Sequence, residues 1–262
     1  LHEGALWFGP ETRLRDQPLG LAAPLGPDAT TSLVPFLERV LRAELLARML
    51  DGLDGSGSMM NPMPIDVAGT QFTSDSAQLT PPNQPVNVRR ECKAALAGMT
   101  PERFHPFTTA SDVKQCDLLR FTASGQRAGQ RDVNRILIDA HYCINVSYEL
   151  VEGTKVGRQI GDPRVICSDC PGPAPYAAGD ERLFFLVSEL QENAEALNLT
   201  GLIENCGPNV GNRDTRSAAG VALESTLKSL GQRGATRGSM SMGGTLSDVW
   251  VKSYRWRVLP RA

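Results

Sequence analysis

Side chains suited to chemistry fall in three short clusters. Asp139, His141 and Cys143 occupy every second position of an alternating run, so an acid, an imidazole and a thiol would project from one face of a strand. The reaction such a set suggests is nucleophilic catalysis by a Cys/His pair. Strand geometry argues against it, because i,i+2 neighbours lie roughly 6.5–7 Å apart at Cα and point in parallel, a poor arrangement for a base and its nucleophile. Cys167-Ser168-Asp169-Cys170 has the CxxC spacing used in zinc and redox sites. Zinc needs a second ligand pair, and His141, Cys143 and Cys206 are single residues without matching spacing. A redox site needs a helix starting at the second thiol, where Pro171-Gly172-Pro173 stands instead. The preferred reading is disulfide partners or a Cys-rich turn. Third, Asp54, Ser56 and Ser58 in Asp54-Gly55-Ser56-Gly57-Ser58-Met59 offer hard oxygens to a divalent cation such as Mg²⁺.

That last string resembles the Asp-x-Ser-x-Ser loop of von Willebrand A domains. The family places the loop after a buried strand and before a long helix. Here a helical pattern precedes it and Asn61-Pro62-Met63-Pro64 follows, which favours a Gly/Ser linker and leaves Asp54, Ser56 and Ser58 as the metal candidates. His2 and His105 lie in no motif, and no phosphate loop, nucleophile elbow or HExxH is present. No catalytic residue and no cofactor is therefore assigned. The six cysteines, Cys92, Cys116, Cys143, Cys167, Cys170 and Cys206, allow three disulfides in fifteen pairings or a set of partly buried thiols. Two sequons, Asn145-Val146-Ser147 and Asn198-Leu199-Thr200, matter only in a eukaryotic secretory setting.

Composition sets the frame for these clusters. With 262 residues, 41% hydrophobic and 21% charged, the chain can bury a real core as one large β domain or two ordinary ones. Its 27 basic and 29 acidic residues leave a formal charge of −2, so no whole-protein field attracts nucleic acid or an anionic membrane. Arg89, Arg90, Arg233, Arg237, Arg255, Arg257 and Arg261 would form a basic strip only if the C-terminal strand met the others, and a solvated face is the preferred reading. No apolar run reaches the roughly 18 residues that span a bilayer. The chain begins at Leu1 and shows no secretion signal, as a processed product would.

Several elements must position whatever site exists. Residues 1–31 are dense in Pro and Gly and read as an arm; Ser32 is placed to cap a helix running to about Leu50. In that helix Leu33, Phe36, Leu37, Val40, Leu41 and Leu45 recur at helical spacing, and Glu38/Arg42 and Glu44/Arg48 form i,i+4 pairs. Residues 51–87 lack periodicity and read as a long surface segment, followed by a short helix at 88–97 and a strand at 117–123. From Asn134 to Val151 the alternation Ile136, Ile138, Ala140, Tyr142, Ile144, Val146, Tyr148, Leu150 predicts one long strand of a one-faced antiparallel sheet. Leu183 to Val187 predicts a strand buried on both faces. Residues 196–204 predict a further strand, 217–230 an amphipathic helix, 231–244 a loop, and 249–259 the last strand. The pattern is mainly β with added helices: an antiparallel sandwich or jelly-roll-like core with long irregular arms. It divides into residues 1–115, an arm, helix and Pro/Gly-rich segments packed on the core, and 116–262, a β-rich domain with a candidate split near 160–180.

Asp117-Leu118-Leu119-Arg120-Phe121, followed across a Gly-containing loop by Ile144-Asn145-Val146-Ser147-Tyr148-Glu149-Leu150, resembles the closing strands of jelly-roll coat proteins of small RNA viruses. The resemblance implies a shell protein, with 175–259 as a smaller protruding β domain. Residues 1–115 depart from it, with a helix and Pro-rich segments in place of six further strands and no basic arm. The expectation is a non-catalytic structural subunit that packs against copies of itself or other subunits of a shell, a virion included, and lies outside the cytoplasm. The alternative is an extracytoplasmic, disulfide-stapled binding or adhesion domain with a divalent metal at the Asp54 loop. A Cys143/His141 or Cys167/Cys170 zinc enzyme ranks last.

Overall fold

The computed structural model describes residues 5–9, 20–25, 29–53, 63–74, 88–109, 111–125, 129–152, 157–166, 178–189, 198–203 and 249–259. In chain order they form β1 (Ala5–Phe8), β2 (Leu21–Pro24), α1 (Ala29–Leu53), β3 (Ile65–Phe72), α2 (Val88–Ala95), β4 (Phe104–Phe107), β5 (Ser111–Val113) and β6 (Leu118–Gly125). Then follow β7 (Gln130–Ile138), β8 (Ile144–Glu152), β9 (Arg158–Gln159), β10 (Arg164–Val165), β11 (Gly179–Glu189) and β12 (Val249–Val258).

Two five-stranded sheets face each other. Sheet I runs β10-β6-β3-β4, with β9 also on β6; sheet II runs β5-β12-β11-β7-β8. Their pairings are antiparallel except for the short parallel contact of β5 with β12. The shared core joins Ile65, Val67, Phe107, Leu119 and Phe121 of sheet I to Val133, Leu183, Phe185, Tyr254 and Trp256 of sheet II. Aromatic rings knit the two layers: Phe121 lies 5.2 Å from Phe185 and 5.1 Å from Tyr254, and Phe107 lies 5.7 Å from Trp256. The Tyr254 hydroxyl donates to the Val67 carbonyl at 2.7 Å, which satisfies the one polar atom this ring buries. The mainly β, sandwich-like class read from the sequence is therefore present.

The alternating run at 134–151 is two strands rather than one. Residues 139–143 turn, and β7 pairs back onto β8 with Ile138 opposite Ile144 and Ile136 opposite Val146. Because cross-strand partners share a face, this register keeps even-numbered residues on one side through the turn, and the period of two survives the reversal. Nor is the sheet one-faced. Ile136, Ile138, Ile144, Val146, Phe184, Leu186 and Val251 form a second core with Ala43, Leu46, Ala47 and Leu50 of α1. The helix covers the outer face of sheet II, so β11 is buried on both sides, as its apolar run indicated.

Other expectations move as well. Residues 65–72, read as surface segment, are a strand of sheet I between β6 and β4, with Ile65 and Val67 in the core. The signal is an alternation over only eight residues, with Gly69 where a Cβ would crowd the Phe121 and Phe107 rings at 3.1–3.2 Å. The first helix starts at Ala29, so Ser32 lies inside it. At 200–202 a 3-10 turn replaces the expected strand, seating Leu199 and Leu202 in the second core. The short helix at 88–95 and the final strand stand as read, while 217–230 and 231–244 lie outside the described residues.

A disulfide joins Cys92 of α2 to Cys116, just before β6, and thereby reduces the fifteen sequence-allowed pairings of six cysteines to three. Its 24-residue separation limits the freedom of the unfolded chain, worth about 3 kcal/mol by loop-closure entropy. Replacing both Cys92 and Cys116 with Ala is expected to lower the urea midpoint by a corresponding amount, measured against the oxidised protein by tryptophan fluorescence.

Candidate functional site

The turn between β7 and β8 shows why Asp139, His141 and Cys143 are together in sequence. The Asp139 carboxylate turns back on its own loop and accepts the backbone N–H groups of His141 and Cys143, each at 2.9 Å. Tyr142 adopts a left-handed conformation, φ 61°, to complete the reversal. Burial raises the Asp139 carboxyl above its ordinary range; the two N–H bonds and Arg164 pull the other way with less effect. Asp139 is thus a turn-forming side chain. Cys143 is itself disulfide-bonded, which removes the thiol that a Cys/His nucleophile would need. Cys167, Cys170 and Cys206 lie outside the described residues.

Beside this turn the inner face of sheet II borders a cleft of about 560 Å³ at the β8 side of the sandwich. Phe121, Leu137 and Leu183 contribute apolar lining, and Arg135 and Arg164 bring guanidinium groups to it. Arg164 makes two bonds to the buried Glu181 carboxylate, 2.8 and 3.1 Å, and Glu181 also accepts the Trp256 indole N–H at 2.8 Å. Arg135 is held differently. Its Nε donates to Ser147 Oγ at 3.0 Å and its Nη1 to the Asp162 carbonyl at 3.2 Å. Gly161, at φ 61°, lies so close beneath this guanidinium that a Cβ there would fall 2.0 Å from Nη1. Desolvation pushes the Arg135 pKa down, countered by the charges of Glu149 and Asp162 and reinforced by Arg164.

A second surface lies on α1. Val34, Leu37 and Leu45 are 45–48% exposed and Leu41 59%. At 100° per residue they fall within about 80° of one another, opposite the face that Ala43, Leu46, Ala47 and Leu50 bury. The apolar spacing read from the sequence, Leu33 to Leu45, therefore follows the half-buried and exposed sides of the helix, and the core face lies opposite.

On the opposite side of sheet II from the cleft, the Tyr148 hydroxyl donates to the buried Asp132 carboxylate at 2.6 Å, and the Tyr148 pKa is pushed up to about 12 by burial and by that carboxylate. Asn134 accepts the Leu199 N–H at 2.8 Å. These groups hold strands and the 200–202 turn together. Arg255 pairs with Asp51 and Arg257 with Asp180, so these two arginines are tied down as ion pairs, while Arg233, Arg237 and Arg261 lie outside the described residues. Asp54, Ser56 and Ser58, like Cys167, Cys170 and Cys206, lie outside the described residues. Among the described residues no three His, Cys, Asp or Glu side chains are grouped to hold a metal ion, and no helix is long and apolar enough to cross a membrane.

Sequence reasoning missed Arg135, Arg164 and Glu181. The available signal was Arg135 itself, a cation between Val133 and Leu137 on the inward parity of the strand, which it shares with the buried Arg131. Comparison of the chain with protein-family models, curated proteins and solved structures returns no match.

Proposed function

We propose that this protein is a non-catalytic structural module that assembles with further copies of itself. The observation that carries this reading is the solvent-facing stripe Val34, Leu37, Leu41 and Leu45 on a helix whose opposite face is already committed to the core. Charge placement favours a second copy as its cover. A two-fold axis near residue 40, the midpoint of the stripe, would set antiparallel helices side by side with Glu38 of each level with Arg42 of the other. Such an interface buries its apolar stripe and matches its flanking charges in one step.

Sedimentation of the intact chain tests the reading. The wild type is expected to self-associate in a concentration-dependent way, and Leu41→Glu to sediment as a monomer with an unchanged thermal midpoint, since a half-exposed side chain contributes little to the monomer fold. A wild type that is monomeric at all concentrations, or a Leu41→Glu variant that associates as well as the wild type, overturns it.

The disulfides at Cys92–Cys116 and at Cys143 favour a second reading of where the module works, an oxidising compartment outside the cytoplasm, and they suit the disulfide-stapled binding domain as the alternative function. Mass spectrometry of the natively isolated protein with and without reductant decides it, free thiols at these positions counting against.

A further inference from the structure

The cleft between the sheets carries a second role, independent of the helix stripe. Three carboxylates line it: Glu181 holds Arg164 and the Trp256 indole, Asp139 is turned to its own loop N–H groups, and Asp162 acts on Arg135 through its charge. Arg135 feels Glu149 and Asp162 as nearby charges but holds neither carboxylate directly. Among the described residues it forms no ion pair, and its hydrogen-bond partners are a hydroxyl and a backbone carbonyl, both neutral. Two of its five N–H donors are spent on those partners, which orient the fork, and Gly161, with no Cβ and φ 61°, lets the guanidinium lie close against the turn. The result is a pre-oriented, partly buried cation at the wall of a cleft whose mixed lining includes Phe121, Leu137 and Leu183. A guanidinium of this kind presents a geometry matched to a planar two-oxygen anion. The cleft volume, about 560 Å³, is in the range that holds a small organic ligand.

We propose that this cleft binds a small carboxylate with an apolar body, its carboxyl group on the Arg135 guanidinium and its body against Phe121, Leu137 and Leu183. Arg164, fixed by Glu181, adds a second positive charge at the same wall without being consumed by the ligand. The apolar residues supply contact area and the guanidinium supplies selection for charge, so a neutral analogue of equal shape loses most of its binding.

Titration of the full chain with 3-phenylpropionate, followed by isothermal calorimetry and by two-dimensional NMR, tests this. Saturable binding is expected, with perturbed amides in β7, β8 and β10. The isosteric neutral 3-phenylpropanamide should bind at least about ten-fold more weakly, and Arg135→Gln should weaken carboxylate binding by about the same factor. Val165→Trp, which introduces a large ring at the cleft lining while leaving Arg135 in place, should also abolish binding and guards against a folding defect in the first variant. No saturable binding to the wild type, equal binding of acid and amide, or undiminished binding by a folded Arg135→Gln or Val165→Trp variant would each overturn the proposal. Because Leu41→Glu leaves the cleft intact, that variant should still bind the acid, so failure of the assembly reading and failure of this one are read separately.

Discussion

Phe121→Ala is expected to lower the unfolding free energy by about 3–5 kcal/mol, the range seen when a large aromatic is removed from a rigid core. Phe121 is 3% exposed and its ring meets Phe107, Phe185 and Tyr254, so one truncation strips contacts from both sheets. The three surrounding rings are themselves held, Phe107 against Trp256 and Tyr254 by its bond to Val67, and they have little freedom to collapse into the void. A chain of this size should show a thermal midpoint lower by about 10 °C. Phe121→Leu, which refills most of the volume, should recover more than half of the loss. Equilibrium urea unfolding checks both variants, and a Phe121→Ala protein within about 1 kcal/mol of wild type would show that the two sheets do not share one close-packed core.

Asp117→Ala is expected to cost about 4 kcal/mol, by a different route. This carboxylate is 1% exposed and accepts the backbone N–H groups of Lys114 at 3.0 Å and Ser74 at 2.8 Å and the Gln71 amide at 3.0 Å. The Ser74 hydroxyl sits between it and the Gln115 carbonyl, 3.0 and 2.8 Å away. Truncation leaves several buried donors without an acceptor, each costing about 1–3 kcal/mol, only part of which a trapped water recovers. Asp117→Asn should be milder. It keeps one oxygen for Ser74, and Gln71 can rotate its amide to present an oxygen to the new NH₂ group. The stress should concentrate where the end of β3 meets the start of β6, beside the Cys92–Cys116 bridge, so amide exchange should accelerate there before it does in β11 and β12. Uniform loss of protection throughout both sheets would contradict a local knot.

Local periodicity made much of the framework legible. Leu183 to Val187 announced a strand buried on both faces, and β11 is the centre of sheet II with α1 on one side and sheet I on the other. The helix at 29–53 was visible for the same reason. The site was less legible: Arg135 and Arg164 are single cations on separate strands, and neither carries a spacing that marks a cleft.

By itself, then, the sequence determined the helices near 32–50 and 88–95 and the extended character of 117–123, 134–151, 183–187 and 249–259, because those properties depend on neighbours a few residues away. Tertiary structure decided what no short window contains. The run from 134 to 151 had to break at 139–143 because β7 and β8 pair with each other, and an even register hid the break. The apolar stripe read in α1, Leu33 through Leu45, stays half-buried or exposed, because the side that meets sheet II is Ala43, Leu46, Ala47 and Leu50. The partners that define the core and the cleft lie far apart in the chain, Tyr254 and Val67 by 187 positions and Arg135 and Asp162 by 27, so their contacts follow from how the sheets stack. Asp139, His141 and Cys143 show the same division: their alternation is local, and the turn that makes Asp139 a backbone acceptor and the disulfide that occupies Cys143 belong to the folded chain alone.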